Sequence, residues 1–112
     1  MFENLTHFNL HHRIAELNTP ALVFFSSEGC GACRYLKASL SVVQEENPDW
    51  RIFEVDAQAE MGLTREFEVF HLPSLFLFLE GEYHSPLACE ATPKAITVAV
   101  TDAFGKPAQE AP

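Results

Sequence analysis

Leu10, Ile14 and Leu17 fall at i, i+4 and i+7 and the stripe stops at Asn18-Thr19-Pro20, a period that predicts a first helix over residues 6–17. Ala21–Ser26 is then apolar almost throughout, between Pro20 and a turn-rich stretch at 26–31, and this predicts a strand buried on both faces. Cys33, Leu36, Leu40 and Val43 recur at helical spacing until Asn47-Pro48, which predicts the longest helix over residues 32–46. Arg51–Asp56 reads as a second strand. Strand, helix and strand thus fill the length of a βαβ unit, so these two strands should run parallel.

Leu63, Phe67 and Phe70 repeat the helical stripe before Leu72-Pro73, giving a short third helix. Residues 75–79 are apolar without a break and predict a third strand, and Gly81-Glu82 is a Gly-first link that favours a type II′ hairpin into a strand over 83–88. Pro86 cannot donate to a ladder, so that last strand belongs at an edge. Thr92 as N-cap, Pro93 at the first helical position, Ile96, Ala99, Val100 and Ala103 on one face, and Gly105 with Pro107 behind it frame a final helix. The order α, β, α, β, α, β, β, α predicts an α/β fold, a three-layer α/β/α sandwich around a central mixed sheet of four to five strands. Its domain covers residues 1–105, with 106–112 as a flexible C-terminal tail.

A chain of 112 residues holds one domain of ordinary size. Leu, Ile, Val and Phe supply 32 of those residues, well above the roughly 20% at which chains stay disordered, so a core is expected without disulfide staples. Seven Lys and Arg against sixteen Asp and Glu give a net charge of −9, which repels phosphate backbones and anionic membranes and argues against nucleic-acid binding. The first ten residues carry Glu3 and no Lys or Arg, and no apolar run is longer than that at 75–79. Neither a secretory signal nor a membrane span is read, and a cytoplasmic location is expected.

Three cysteines are an odd count for a disulfide framework. Cys30-Gly31-Ala32-Cys33 lies where the first strand ends and the long helix begins. Orphan backbone N–H groups and the positive end of the helix dipole stabilise a thiolate there, making Cys30 the better nucleophile. Cys33, one turn deeper on the buried stripe, is within reach to attack a mixed disulfide on Cys30 and close a Cys30–Cys33 bridge. The same pair of cysteines also serves zinc sites, but a second Cys pair or matching His pair is missing from the sequence. Metal or cluster ligation through Cys30, Cys33 and either Cys89 or His71 remains the rival chemistry, and inert cysteines a third.

The residues Ala-Leu-Val-Phe-Phe-Ser-Ser-Glu-Gly-Cys-Gly-Ala-Cys, then Phe-Glu-Val-Asp at 53–56, then Phe-Glu-Val-Phe-His-Leu-Pro-Ser-Leu-Phe-Leu-Phe at 67–78 followed by Gly81-Glu82, resemble the thioredoxin family across nearly the whole chain. The resemblance implies a thioredoxin fold and a thiol-disulfide oxidoreductase that reduces protein disulfides, with Cys30 as nucleophile and Cys33 as resolving thiol. It implies Pro73 as a cis-proline beside the dithiol. It also implies a substrate groove formed by Gly29, Gly31, Ala32, Leu72, Pro73, Ser74, Ala88 and Cys89, with Glu90 in the same turn. The only redox group implied is the Cys30–Cys33 disulfide, without bound cofactor or metal, and the implied partners are disulfide-containing proteins and a separate electron-donating reductase.

Four positions depart from the family pattern. Phe24 stands where the family usually carries a buried Asp, Gly29 where a Trp precedes the first cysteine, Ser26 in place of an aromatic, and Ala32 in place of a Pro. The missing acid leaves Cys33 to lose its proton to water or a nearby His, and it favours the alternative of a protein-binding or chaperone-like module with a vestigial dithiol. Cys89 reads as a small, half-buried residue at a strand end, or else as a third thiol facing the dithiol. His71 reads as solvent-exposed, or as an imidazole holding the Cys30 thiolate. His11 and His12 face different sides of a helix and read as surface residues; Phe24, Phe25, Phe76 and Phe78 read as core, and Asp56 as a turn residue.

Overall fold

A computed structural model describes residues 2–112. Along the chain run β1 (Glu3–Asn4), α1 (Leu10–Ala15), β2 (Ala21–Ser26), α2 (Gly31–Glu46), β3 (Arg51–Asp56), α3 (Met61–Glu66), β4 (Ser74–Leu79), β5 (Glu82–Pro86) and α4 (Pro93–Phe104). The five strands form one sheet in the order β1-β3-β2-β4-β5, with β1, β3 and β2 parallel and β4 and β5 antiparallel to their neighbours. This is the mixed sheet expected, and the βαβ unit from β2 through α2 to β3 is parallel with Ala21 opposite Arg51.

Successive residues of β2 feed two separate cores. Leu22 and Phe24 point to one face, against Leu36, Leu40 and Val43 of α2 and Ile96 and Val100 of α4. Ala21, Val23 and Phe25 point to the other, against Leu10 and Ile14 of α1, Leu63 of α3 and Phe67. Every residue of β2 is buried, so the strand has no polar face and its sequence shows no alternation. The helix ends follow local chemistry: Thr92 Oγ1 accepts from Ala95 N at 3.2 Å with Pro93 at the first helical position, and Asn47 Nδ2 donates to Val43 O at 2.9 Å where α2 stops before Pro48.

Four expectations are corrected. The two-residue β1 is too short to carry a period, and pairing alone reveals it, with Glu3 opposite Phe53. The first helix is shorter than 6–17, because Thr6 O accepts from both Asn9 N and Leu10 N in a turn that precedes it. Phe70 does not lie on the buried face of α3: the helix stops at Glu66, Glu68 adopts φ +52°, and Phe70 is 89% exposed. The hairpin turn is Glu80-Gly81, not Gly81-Glu82. Both residues have positive φ, of 52° and 80°, which is type I′ and not type II′. β5 therefore runs over Glu82–Pro86, at the edge where Pro86 was expected. The chain beyond α4 has no regular structure, and Gln109 N donates to His84 O at 2.7 Å.

The I′ turn leans on the end of α1. A Cβ at Gly81 would meet Ala15 O at 2.9 Å and Ala15 Cα at 3.2 Å, on a backbone with φ +80°. Gly81→Ala is expected to destabilise the protein by about 2 kcal/mol through the combined backbone and steric penalties. Thermal denaturation checks this, and a midpoint within error of the parent's would contradict it.

Candidate active site

The dithiol is placed by the end of a central strand and the start of the longest helix. β2 ends at Ser26, Gly29 turns the chain with φ +83°, and Cys30 N donates to Ser27 O at 3.3 Å. Cys30 is the N-cap residue of α2, in extended backbone conformation, and its Sγ accepts from Cys33 N at 3.1 Å. The sulfur thus takes the role that a hydroxyl or carboxylate oxygen usually plays at a helix start, satisfying an N–H that has no carbonyl partner. Cys30 and Cys33 are joined as a disulfide with Cα atoms 5.2 Å apart. Cys30 is half-buried, whereas Cys33 is 4% exposed on the α2 stripe with Leu36 and Leu40. Around them Gly29, Gly31 and Ala32 are exposed, and the Arg34 guanidinium folds back to 3.8 Å from where a Gly31 Cβ would stand.

The Leu72–Pro73 peptide bond is cis, as the resemblance implied. Leu72, Pro73 and Ser74 are half-buried, and Ser74 Oγ donates to His71 O at 2.7 Å. Ser74 and Ala88 line one cavity of about 320 Å³ together with His71, Phe67, Tyr83 and Leu87. Burial pushes the Tyr83 phenol up from its ordinary value, with the Glu68 carboxylate adding to the effect. Cys89 is not half-buried: it is a free, exposed cysteine in the loop before α4. Protein packed against its sulfur nonetheless pushes its thiol up from the ordinary value by desolvation. Cys89 and Glu90 are not among the residues lining the His71 cavity.

Gly29 lines a different cavity of about 290 Å³, on the α2 face of the sheet, with Ser26, Ser27, Glu28, Arg34, Lys37, Glu54 and Asp56. Within it Ser26 Oγ donates to Glu54 Oε2 at 2.7 Å, and Lys37 Nζ sits 3.0 Å from Glu54 Oε1. Sequence reasoning missed Arg34, Lys37 and Glu54. One signal was available: Glu54 interrupts the apolar stretch Ile52-Phe53-Glu54-Val55 of β3, on the face that Ile52 shares. Asp56 behaves as the expected turn residue, its Oδ1 accepting from Gln58 N and Ala59 N. Phe24 is fully buried, edge-on to Phe2 with ring centroids 5.6 Å apart, so no acid lies beneath the dithiol at that position. The histidines are dispersed: His7 and His11 pair with Glu60 and Glu66, and the His84 ring contacts Ala103 O. Among the described residues no group of three or more His, Cys, Asp or Glu is gathered as metal ligands would be.

Residues 1–102 match the family model for thioredoxin. Over 70 residues the chain is 24% identical to a thioredoxin of Mycoplasmoides gallisepticum, a match covering 62% of this chain and 70% of that one. It is 31% identical, also over 70 residues, to the chloroplastic thioredoxin X of Arabidopsis thaliana, covering 62% of this chain but 38% of the relative. Among solved structures, a chain from a study of thiol resolution in yeast mitochondrial 1-Cys peroxiredoxin via glutathione/thioredoxin systems superposes with a TM-score of 0.79 at 22% identity, covering 90% of this chain and 94% of that one. The zinc-bound form of human ERp44 superposes at 0.76 with 19% identity, covering 91% of this chain and 32% of its own. At these identities the two structures establish the fold.

The raised thiol of Cys89 and the helix-capping position of Cys30 set an order of reactivity. In the reduced protein, a small alkylating reagent at neutral pH is expected to modify Cys30 at least about tenfold faster than Cys89, since the thiolate is the reacting form. Mass spectrometry of time-resolved labelling reads this directly, and equal rates would contradict it.

Proposed function

This chain belongs to the thioredoxin family and is a thiol-disulfide oxidoreductase, and from that premise we propose that it reduces protein disulfides, with Cys30 as nucleophile and Cys33 as resolving thiol. The observation that carries the assignment of roles is the asymmetry of the pair: Cys30 caps the helix and is half-open to solvent, whereas Cys33 is buried one turn below. An incoming disulfide has access to the first sulfur only.

In the reduced protein the α2 N-terminus offers the Cys30 thiolate a positive dipole end and the Cys33 N–H. The thiolate attacks one sulfur of the substrate disulfide, whose S–S bond breaks, and the departing thiolate takes up a proton. Cys33 then gives up its proton and attacks the Cys30 sulfur of the mixed disulfide. The Cys30–Cys33 bond forms, the second substrate thiol leaves, and two electrons have passed from the dithiol to the substrate. A separate reductase returns them. A cytoplasmic setting, where thiols are kept reduced, suits this direction. Leu72, Pro73, Ser74 and Ala88 are the groove residues proposed to hold the substrate chain, with Gly29, Gly31 and Ala32 on the dithiol side.

One observation favours a second reading, a protein-binding module with a weak dithiol: the apolar packing of Phe24 leaves that position without a proton acceptor for Cys33. Reduction of insulin by dithiothreitol separates the two. Wild-type protein is expected to accelerate it, Cys30→Ser to lose at least about a hundredfold of that acceleration, and Cys33→Ser to accumulate a mixed disulfide on Cys30. No acceleration by the wild type would favour the binding module, and acceleration surviving in Cys30→Ser would remove the assigned nucleophile.

A further inference from the structure

Resting on the oxidoreductase reading, we infer that the cavity bordered by Phe67, Glu68, Ser74, Phe76, Tyr83 and Ala88 is a subsite for a basic side chain, Arg or Lys, of the disulfide substrate, and that Glu68 sets this preference. The dithiol side of the groove has little with which to choose a client: Gly29 and Gly31 offer backbone, and Ala32 a single methyl group. Selectivity has to come from the other side. Ser74 directly follows the cis-proline and pairs with Phe25, so it stands at the end of the sheet from which the chain runs on to Cys30. Ser74 and Ala88, both groove residues in that reading, open onto this cavity of about 320 Å³.

Its walls are aromatic. The ring centroids of Phe67 and Phe76 lie 5.3 Å apart, and the Tyr83 ring lies 6.3 Å from each. Such rings attract a cation through their quadrupoles. Glu68 adds a full charge: it adopts φ +52° just after α3, next to Phe67 in the chain. The described residues form four ion pairs and Glu68 is in none of them, whereas Glu60 and Glu66 are each matched by a histidine. Among the described residues no Lys or Arg borders the cavity. The Glu68 carboxylate adds to burial in pushing the Tyr83 phenol up, so the charge and the wall share one pocket. An apolar client side chain would suit the rings but strip water from an unpaired carboxylate, at a cost in free energy; an acidic one would be repelled. Arg or Lys answers both, laying its methylene stem on the rings and bringing its charge to Glu68. The net charge of −9 draws the same clients in from a distance.

The subsite takes no part in the exchange of bonds. It holds the client chain beside Pro73 while Cys30 attacks, so its effect is read in the second-order rate of mixed-disulfide formation. Glu68 is a specificity-determining residue and the dithiol alone does the chemistry.

The test mixes reduced full-length protein in stopped flow with peptide disulfides that carry Arg, Leu, Gln or Glu at a single position, scanned over the residues nearest the cysteine. At the best position wild-type protein is expected to form the mixed disulfide about tenfold faster with Arg than with Gln, a difference of ~1.4 kcal/mol at 25 °C, and more slowly with Glu than with Gln. Glu68→Gln is expected to bring Arg and Gln within about twofold while leaving the rate with the Gln peptide unchanged, and Glu68→Lys to turn the preference toward Glu. Glu45→Gln, which removes the same charge from an exposed site at the far end of α2, is expected to keep the Arg preference. No Arg preference in wild type, a preference for Leu over Arg, a preference that survives Glu68→Gln, or one lost equally in Glu45→Gln would each overturn the inference. Binding is also read without the chemistry, by titrating the Arg peptide with its cysteine S-methylated and following the Tyr83 ring by NMR: shifts in wild type that are absent in Glu68→Gln support the subsite, and no shifts overturn it. Wild-type protein that reacts with none of the disulfides yet shows these shifts would sink the oxidoreductase reading and still support the subsite.

Discussion

A helix that starts inside a fold leaves its first N–H groups without carbonyl partners, and at the start of α2 one of them is answered by sulfur. The Cys33 N–H pointing at Cys30 Sγ ties together the end of β2, the first turn of α2 and the redox pair. Most of the site follows from that bond. It holds Cys30 at the positive end of a 16-residue helix, it fixes Cys33 on the buried side of the same turn, and it gives the two sulfurs unequal access to solvent. Chemistry that needs one thiol to attack and another to wait is thereby written into the start of a helix.

The position of that helix start is set by the sheet. β2 is central and buried on both faces, so its C-terminal end is held by two cores at once and the turn that follows has little room to move. The same register that joins β2 to β3 brings Glu54 beside Phe24 and within reach of Ser26. Two apolar cores and one polar cavity therefore meet at a single end of the sheet. The loss of an acid from β2 and the presence of one on β3 are, in this geometry, changes on adjacent strands of the same surface.

Much of this was legible in the chain because burial on both faces leaves a strong imprint. The bounds of β2 come directly from its apolar run between turn residues, and α2 from the spacing of Cys33, Leu36, Leu40 and Val43. Legibility failed where the deciding contact was distant in sequence or too brief for a period. β1 exists through pairing with Phe53 and Glu54. Phe70 kept the helical spacing of Leu63 and Phe67 but lies beyond the backbone reversal at Glu68, so a three-point stripe overran its helix. The hairpin shifted by one residue because Glu80, and not Gly81 alone, took a left-handed conformation. In the site, the cysteines and Pro73 were marked by local motif. The Ser26, Lys37 and Glu54 cluster was not, since its members come from β2, α2 and β3 and only the register brings them together.

The two margins of the sheet carry a last consequence. One is the two-residue β1 and the other is β5, bent by an irregularity opposite residues 77 and 78 and closed by Pro86. Strand margins of this kind are poor templates for adding a further strand from another molecule. Neither margin therefore invites pairing by a strand from a second copy of this chain.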